Sequence, residues 1–297
     1  MKYLCTGGAG FICSHLVDRL VKDGHEVNVI DNLSTGKLEN LPIDAKPPVT
    51  FYEGSILDDS EKLKPMFEGV DVVFHLAALT RPRESYKNPK KTFNINVDGT
   101  INTILSAKRA FVKRFVFISS ATVYSKLPMK ESDLNLTPLS PYGKSKLQAE
   151  TCVKDFCNMK YNIIRPFNVY GKRQDPSGEY GAAIPKFIDT FKKEKQPYIT
   201  GNGSQFRDFI YIDDLIELLV KVAHSKVHGE IFNAGSGKTT SVNKLYKLIS
   251  KIMSKKVKPR YIKEIKEPNT EADISKAKKL LNWYPKINLE EGLRRII

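Results

Sequence analysis

The stretch TGGAGFICSHLVDRL, residues 6–20, joins a glycine-rich turn to the start of an amphipathic helix. The apolar run of residues 2–5 comes before it, so the sequence predicts a strand, a tight turn and a helix in that order. Gly7 permits the turn, while Gly8 and Gly10 let the backbone come close to a phosphate at the amino end of the helix. The stretch therefore predicts a site for the pyrophosphate of a dinucleotide.

Two further residues refine this prediction. Cys13 stands where the motif usually has a third small residue, a position that packs the helix on the strand, so we expect it to be tolerated. Asp31 closes the next predicted strand, EVNVID, at the distance where a carboxylate accepts the ribose hydroxyls of adenosine. A carboxylate there disfavours a 2′-phosphate and so favours NAD over NADP. The alternative is that Asp31 only caps the loop DNLSTG.

Short apolar runs rich in Val, Ile and Phe alternate with helical patterns through the first half of the chain. This alternation predicts βαβ units, and hence an α/β fold with a Rossmann-like doubly wound parallel sheet. After Asn168 the pattern changes to loops and short helices, which predicts a smaller, mixed α/β substrate-binding lobe. We assign residues 1–168 to the large domain, with 205–235 returning to it, and residues 169–204 and 236–297 to the smaller lobe. The predicted helices include residues 11–22, 59–68, 85–111 and 141–159.

The composition favours a cytoplasmic protein that binds no membrane and no metal. The longest apolar runs are too short to span a bilayer, and the sequence shows no secretory h-region. The four cysteines form no CxxC pair, so neither a zinc site nor a disulfide framework is expected. The net charge of +15 raises the question of nucleic acid, but the densest lysine clusters fall in helical stretches. That placement favours solvated helix faces, and we expect no nucleic-acid partner.

The stretch SPYGKSKLQAE places Tyr142 and Lys146 one helical turn apart, behind Pro141 at a helix start. A phenol normally titrates near pH 10, so it needs help to act as a base. A lysine ammonium and the positive nicotinamide of bound NAD both favour the phenolate. Tyr142 would then take a proton from a sugar hydroxyl while the sugar carbon gives up hydride. Ser120, at the end of the strand RFVFISS, is placed to orient that hydroxyl.

These residues belong to an ordered set of motifs that covers nearly the whole chain: TGGAGFI, DNLSTG, FHLAA, NVDGT, SSATVY, PYGKSK, RPFNVYG, RDFIYIDD and EADISKAKKLLNWYPK. In this set the chain resembles the extended short-chain dehydrogenase/reductase family, and within it the UDP-sugar 4-epimerases. The resemblance implies tightly held NAD, a lobe that grips a UDP-sugar, and the catalytic set Ser120, Tyr142 and Lys146. It also implies a homodimer formed through helices 85–111 and 141–159.

The resemblance further implies individual contacts. Residues implied at the cofactor are Gly7, Gly10, Phe11, Ile12, Asp31, Asn32, Ser55, Ile56, Leu76, Ala77, Asn96, Tyr142 and Lys146. Asn168 and Arg207 would hold the diphosphate, and Tyr198 would contact the uridine. Thr270 would occupy the position where a bulky residue excludes an acetamido group and a small one admits it. Epimerases of this kind also carry an arginine and an acidic residue before ADISKA, where this chain offers Lys263, Glu264, Lys266 and Glu267.

The two residues after Ser120 distinguish the reactions of this family. Similar 4,6-dehydratases carry an Asp-Glu pair there to expel water, whereas this chain has Ala121 and Thr122. The sequence therefore predicts a redox-only cycle, a UDP-sugar 4-epimerase that interconverts UDP-glucose and UDP-galactose, with UDP-N-acetylhexosamines admitted beside a small Thr270. Two alternatives remain open: a 4-epimerase specific for UDP-N-acetylhexosamines or UDP-uronic acids, and a non-catalytic NAD- or nucleic-acid-binding protein of the same fold.

Overall fold

The computed structural model describes residues 1–177, 182–263 and 268–297. Strands and helices alternate along most of these residues. The strands are β1 (Lys2–Thr6), β2 (Glu26–Asp31), β3 (Val49–Glu53), β4 (Val72–His75), β5 (Arg114–Ile118), β6 (Lys160–Pro166), β7 (Asn168–Tyr170), β8 (Tyr198–Thr200), β9 (Phe206–Tyr211), β10 (Glu230–Ala234), β11 (Thr239–Ser241) and β12 (Arg260–Ile262).

Some of the helices carry polar or proline signals at their starts, such as Ser140 and Pro141 at the sixth. They are α1 (Phe11–Lys22), α2 (Ser60–Phe67), α3 (Pro82–Lys87), α4 (Pro89–Phe93), α5 (Gly99–Arg109), α6 (Pro141–Phe156), α7 (Ala183–Lys192), α8 (Ile212–His224), α9 (Val242–Ile252), α10 (Ser275–Leu281) and α11 (Leu289–Ile296). None of the helices in the described ranges is long and apolar enough to cross a membrane.

Seven strands form one parallel sheet in the order β10-β6-β5-β4-β1-β2-β3. A second, mixed sheet has the order β11-β9-β7, and β12 pairs with β8. The predicted α/β fold, a Rossmann-like doubly wound sheet with a smaller mixed part, is thereby confirmed. The strand order changes direction at β1, which lies between β2 and β4, and parallel sheets of this type bind ligands at the carboxyl ends beside such a point.

The large sheet is buried on both faces, which explains its nearly continuous apolar strands. On β1, Tyr3 and Cys5 pack into the apolar cluster that contains α1 and α8, whereas Leu4 packs into the cluster of α2, α5 and α6. Successive residues of a strand point to opposite faces, so one short strand supports both layers. The carboxyl end of β1, and with it the glycine turn, is therefore held from both sides.

Two sequence expectations differ in detail from the structure. The single helix predicted for residues 85–111 is broken, because Asn88 has φ −135° and ψ 64° and precedes Pro89. Proline disfavours helical geometry at the residue before it, so α3 ends there and α4 begins anew, followed by a π-helical turn at Asn94–Asp98. In the segment 205–235, β10 joins the large sheet but β9 pairs within the smaller one.

Candidate active site

A cavity of about 1070 Å³ runs along the carboxyl edge of the large sheet, from the glycine turn to the start of α6. The structure brings together there most of the residues predicted for the cofactor and the chemistry. Those that line the cavity are Gly7, Gly10, Phe11, Ile12, Asp31, Asn32, Ser55, Ile56, Leu76, Ala77, Ser120, Tyr142 and Lys146. Asn96, Asn168, Tyr198, Arg207 and Thr270 are not among the residues that line it.

The glycine turn lies against the chain segment that follows β4. Gly7 has φ +69°, and a Cβ there would come within 2.9 Å of the Ala77 backbone. A Cβ on Gly10 would meet only the Gly7 carbonyl oxygen, at 3.1 Å, so its cavity side is open. Gly8 has a packing reason that the motif does not predict: a Cβ there would lie 2.4 Å from Val29 Cγ1 on β2, while its approach to a phosphate stays a prediction.

The amino end of α1 fits an anionic group. Gly10 is the N-cap residue and has no side chain to cap the helix. The first turn of α1 contains no acidic residue. The first N–H groups of a helix lack partners within it and carry a partial positive charge, which suits a pyrophosphate. Cys13 lies behind this turn, buried beside Cys5, and burial raises the pKa of its thiol. It occupies the packing position that the motif predicts.

Asp31 closes β2 with its carboxylate at the cavity wall. Oδ2 accepts a hydrogen bond from Ala9 N at 3.0 Å, and Oδ1 accepts one from Leu33 N at 2.8 Å. Burial raises the pKa of this carboxyl, and the two backbone donors oppose the rise. A carboxylate has about four acceptor positions, so two remain for the paired hydroxyls of a ribose. With the open helix end, this acceptor makes the cavity suited to NAD.

The buried His75, the last residue of β4, fixes the segment after this strand, which lines the cavity. Thr100 Oγ1 donates to Asn96 O at 2.7 Å, so its hydrogen is used and His75 Nε2, 3.0 Å away, must be the donor to it. His75 Nδ1 is then the acceptor for Thr6 Oγ1 at 2.8 Å, and Thr6 Oγ1 accepts from Ala77 N at 3.1 Å. Burial lowers the pKa of His75 to about 3, which keeps the ring neutral.

Asn96 also fixes the segment that follows β4. Its Oδ1 accepts from Leu79 N at 2.8 Å, and its Nδ2 donates to Leu79 O at 3.1 Å and to Ser145 Oγ at 2.9 Å. The side chain thus ties the loop after β4 to α6, which carries the predicted catalytic pair Tyr142 and Lys146. A direct contact between Asn96 and the cofactor stays a prediction of the resemblance.

The predicted catalytic residues Ser120, Tyr142 and Lys146 converge where β5 ends and α6 begins. Ser120 Oγ accepts from Thr122 N at 3.2 Å and from Thr122 Oγ1 at 3.0 Å, and it hydrogen-bonds the Tyr142 side chain. Tyr142 N donates to Ser85 Oγ at 3.0 Å, which fixes the first turn of α6 against α3. Tyr142 and Lys146 are both buried, at 6% and 2% exposure, so ligands reach them only through the cavity.

Burial dominates the electrostatics of this pair. It raises the pKa of Tyr142 to about 12, opposed by the Ser120 hydrogen bond, and lowers the pKa of Lys146 to about 7, opposed by Glu150. Without a ligand, the chain therefore does not show the expected fall in the pKa of Tyr142. A positive charge brought in with a ligand is needed to favour the phenolate at neutral pH.

Among the residues predicted for the UDP-sugar, Asn168 and Thr270 are joined by hydrogen bonds away from the cavity lining, whereas Tyr198 contacts a different residue. Asn168 Nδ2 donates to Asp208 O and to Thr270 Oγ1, both at 2.9 Å, and Asp208 N donates to Thr270 Oγ1 at 3.1 Å. Arg207 Nη1 donates to Phe206 O, and Tyr198 OH contacts Lys186 Nζ. Lys263 is exposed, while Glu264, Lys266 and Glu267 lie outside the described residues.

Sequence reasoning missed two ion pairs of Arg81 at the cavity wall. Arg81 Nη2 lies 2.9 Å from Asp175 Oδ2, and Arg81 Nη1 lies 2.9 Å from Glu84 Oε1. Arg173 and Gln174 line the same wall. The available signal was a charged loop, GKRQDPSG, directly after a strand, where binding residues are common.

Comparison with known protein families identifies the family of this chain. Residues 3–235 match the model of the NAD dependent epimerase/dehydratase family. The matched segment contains the glycine turn, Asp31, Ser120, Tyr142 and Lys146, and it spans well over half of the chain. The cavity and the family match therefore point to the same cofactor.

Solved structures extend the similarity to the whole chain. The UDP-glucose 4-epimerase of Thermotoga maritima with UDP-glucose is 36% identical with a TM-score of 0.91, and 99% of this chain and 97% of that chain are covered. The UDP-N-acetylglucosamine 4-epimerase of Methanobrevibacter ruminantium in complex with UDP-N-acetylmuramic acid is 34% identical with a TM-score of 0.93, covering 99% and 96%.

Two further proteins differ from these in sugar or in reaction. The UDP-glucuronic acid 4-epimerase of Bacillus cereus in complex with UDP-glucuronic acid and NAD is 34% identical with a TM-score of 0.90, covering 99% of this chain and 97% of that chain. UDP-glucuronic acid decarboxylase 1 of Arabidopsis thaliana is 35% identical, covering 100% of this chain and 69% of that protein. These proteins share a UDP-linked substrate and differ in what the sugar carries.

Proposed function

The chain belongs to the NAD-dependent epimerase/dehydratase family, and we propose that within it the chain is a 4-epimerase that interconverts UDP-glucose and UDP-galactose. Its cofactor is NAD, and its relatives are UDP-sugar 4-epimerases and related decarboxylases. The observation that carries the proposal is the convergence of Ser120, Tyr142 and Lys146 on the cavity that also holds the glycine turn and Asp31.

The chain's own residues move the proton of this reaction. NAD, when bound, supplies the acceptor and later the donor of a hydride, together with a positive ring. Tyr142 as phenolate takes the proton of the sugar C4 hydroxyl. Ser120, which is hydrogen-bonded to Tyr142, orients the same sugar hydroxyl. The sugar loses hydride from C4 and becomes a 4-keto sugar. Return of hydride to the opposite face, with the proton from Tyr142, gives the epimer, so no atoms are gained or lost.

The residues beside Ser120 favour this cycle over dehydration. Loss of water from the sugar needs an acid for the leaving hydroxyl and a base for a neighbouring carbon. Ala121 and Thr122 offer neither, and the Thr122 hydroxyl is bonded to Ser120 Oγ. A redox cycle at C4 needs only the catalytic set, which this chain keeps.

The sugar itself is the finer part of the proposal. We expect UDP-glucose and UDP-galactose, with UDP-N-acetylglucosamine and UDP-N-acetylgalactosamine as further substrates if Thr270 leaves room for an acetamido group. The hydroxyl of Thr270 is bonded to Asn168 and to Asp208 N, so its own position is fixed.

We also propose a homodimer. The described part of α5 and α6 leaves apolar side chains exposed, among them Leu105 at 41% and Phe156 at 50%, and Phe111, just after α5, is 89% exposed. A second copy packed on α5 and α6 would cover these side chains, and covering exposed apolar surface favours association. Light scattering of the purified protein tests it: a single mass equal to one chain contradicts the dimer.

The proposed activity is tested by incubating the purified protein, with no cofactor added, with UDP-glucose, UDP-N-acetylglucosamine or UDP-glucuronic acid. Proton NMR of the anomeric region then reports inversion at C4. Formation of UDP-galactose supports the proposal, and UDP-N-acetylgalactosamine extends it.

If only UDP-glucuronic acid is epimerised, the substrate is a UDP-uronic acid and not UDP-glucose. If UDP-glucuronic acid instead yields a UDP-linked five-carbon sugar, the protein is a decarboxylase. No turnover of any of the three after NAD is added would contradict the enzyme assignment. A gel shift with generic RNA, repeated at rising salt, then tests the non-catalytic alternative.

A further inference from the structure

Glu150 is a buried carboxylate on the same face of α6 as the catalytic pair. It follows Lys146 by one helical turn and Tyr142 by two, and it is 0% exposed. Its Oε1 accepts from Ser119 Oγ at 2.5 Å and from Arg165 Nε at 2.8 Å, and its Oε2 accepts from Arg165 Nη2 at 2.6 Å. The carboxylate therefore receives three hydrogen bonds in the interior.

These bonds join three elements that build the catalytic site. Ser119 follows β5 and directly precedes Ser120, and Arg165 lies on β6. Ser119 N also donates to Ile164 O at 2.7 Å, so the end of β5 is held against β6. A change at Glu150 would therefore shift Ser120 relative to the helix that carries Tyr142 and Lys146.

Stability alone gives a weak account of this buried ion pair. Removing two charges from water costs free energy that their attraction often fails to recover, so apolar residues of similar size commonly serve a fold as well. Arg165 also has its Nη1 without a hydrogen-bond partner in the described structure, and its guanidinium lies 4.7 Å from the Tyr124 ring centroid. The arrangement keeps a charge pair where a purely structural contact would not need one.

The carboxylate also acts on Lys146 through its charge. Burial lowers the pKa of Lys146, and Glu150 opposes that fall. The other groups around this ammonium are the Phe117 ring on β5 and the neutral His75 on β4, with Arg165 on β6 behind Glu150. Glu150 is thus the nearby group of opposite charge in the described structure.

We propose that Glu150 is a positioning residue for the reaction, which fixes Ser120 and Lys146 relative to one another by joining α6 to the ends of β5 and β6. The inference rests on the proposed function, because the spacing of these groups matters only if they perform the chemistry at C4. Glu150 itself lies outside the cavity lining and touches no reacting atom.

The test compares Glu150→Gln with Asp155→Asn, which removes an exposed carboxylate from the same helix. We expect Glu150→Gln to lower kcat by about tenfold to a hundredfold with little change in KM, since small displacements of catalytic groups have effects of that size. The alkaline limb of the kcat profile should move to lower pH, because the Lys146 ammonium loses its negative neighbour. Asp155→Asn should change neither quantity.

A second variant separates positioning from folding. Glu150→Gln combined with Arg165→Met removes both buried charges, so no unpaired ion remains to destabilise the fold. Ser119→Ala removes a single hydrogen bond and leaves the ion pair. If kcat and its pH profile are normal in both of these variants, Glu150 has no positioning role. A reduced kcat in the folded double variant, with a smaller loss in Ser119→Ala, supports the role.

A readout independent of turnover distinguishes this inference from the proposed function. The ¹⁵N chemical shift of Lys146 Nζ, followed against pH, reports its protonation directly. In Glu150→Gln its titration should occur at lower pH than in the wild type, and an unchanged titration contradicts the inference. A wild-type protein that turns over no UDP-sugar would contradict the proposed function and leave this titration to decide the electrostatic part.

Discussion

Lys146 holds its ammonium 4.5 Å from the centroid of the Phe117 ring, on the face of that ring. An aromatic face attracts a cation but replaces only part of its lost hydration. Burial accordingly lowers the pKa of Lys146 to about 7, far below that of a lysine in water. The folded chain therefore keeps a buried amine at a cost to its own stability.

Lys146→Met should abolish turnover and stabilise the cofactor-free protein by about 1 to 4 kcal/mol near pH 7. The unfolded lysine binds its proton up to about pH 10.5 and the folded one only up to about pH 7. The cost is thus full at pH 7 and below, and it disappears as the pH approaches 10.5. Urea unfolding at several pH values measures it, with Lys144→Met, at an exposed position of the same helix, as control. Equal stability of variant and wild type at neutral pH would contradict the argument.

Tyr142→Phe should keep the binding of NAD and UDP-sugar but lose turnover by about a thousandfold, because the base is gone and the pocket is kept. Stopped assays give the rate, and calorimetry gives the two affinities. Tyr86→Phe removes an exposed phenol hydroxyl that donates to Leu139 O, so it serves as the matched control. Near-normal turnover in Tyr142→Phe would refute the catalytic set.

Asp31→Asn should weaken NAD binding by about tenfold to a hundredfold, since hydrogen bonds to a charged acceptor are the stronger kind. It should also reduce the preference for NAD over NADP, because the negative charge that repels a 2′-phosphate is removed. Titration of cofactor-free protein with both dinucleotides measures both effects. Asp44→Asn, at an exposed position, should change neither. An unaltered affinity ratio would show that Asp31 only supports the backbone of Ala9 and Leu33.

Thr270→Val should destabilise the protein by about 1 to 3 kcal/mol, because Asn168 Nδ2 and Asp208 N both lose an acceptor. If Asn168 holds the diphosphate, KM for the UDP-sugar should rise with it. Thr270→Ser keeps the hydroxyl and should restore both properties. Thermal unfolding and steady-state kinetics of the two variants check this. A Thr270→Val protein with normal stability and KM would leave the cluster without a role.

Acid should destabilise the fold partly through His75. Its pKa is about 3 in the fold, against 6.5 for the ordinary side chain, so between these values the unfolded chain binds the extra proton. The stability that a neutral His75 contributes is present above pH 6.5 and is lost as the pH falls towards 3. Between pH 7 and 4 this loss amounts to about 3 kcal/mol. His75→Gln should show a shallower decline, whereas His228→Gln, at an exposed position, should match the wild type.

The fold was largely predictable because its signals are local. The order of strand, glycine turn and helix in residues 2–22 depends on neighbouring residues, and so does the spacing of Tyr142 and Lys146 on one helix. The break at Asn88 was also written locally, in Pro89, but the apolar pattern on both sides concealed it. Local sequence patterns thus predict helices and strands more reliably than they predict breaks within a helix.

The rest of the site depends on contacts between distant residues. The packing reason for a glycine at position 8 comes from Val29 on the next strand, which lies where a Cβ would be. Arg81 and Asp175 come from loops that only the folded sheet brings together. The pKa values of Lys146 and His75 are set by burial, which no spacing in the sequence reports.

The position of β10 has a consequence for how this protein is made. β10 is contributed by residues 230–234 and pairs with β6 at one edge of the large sheet. A ribosome must therefore deliver most of the chain before that sheet is complete, and until then β6 presents an open edge to other nascent chains. Folding from the amino terminus alone cannot finish the NAD-binding unit.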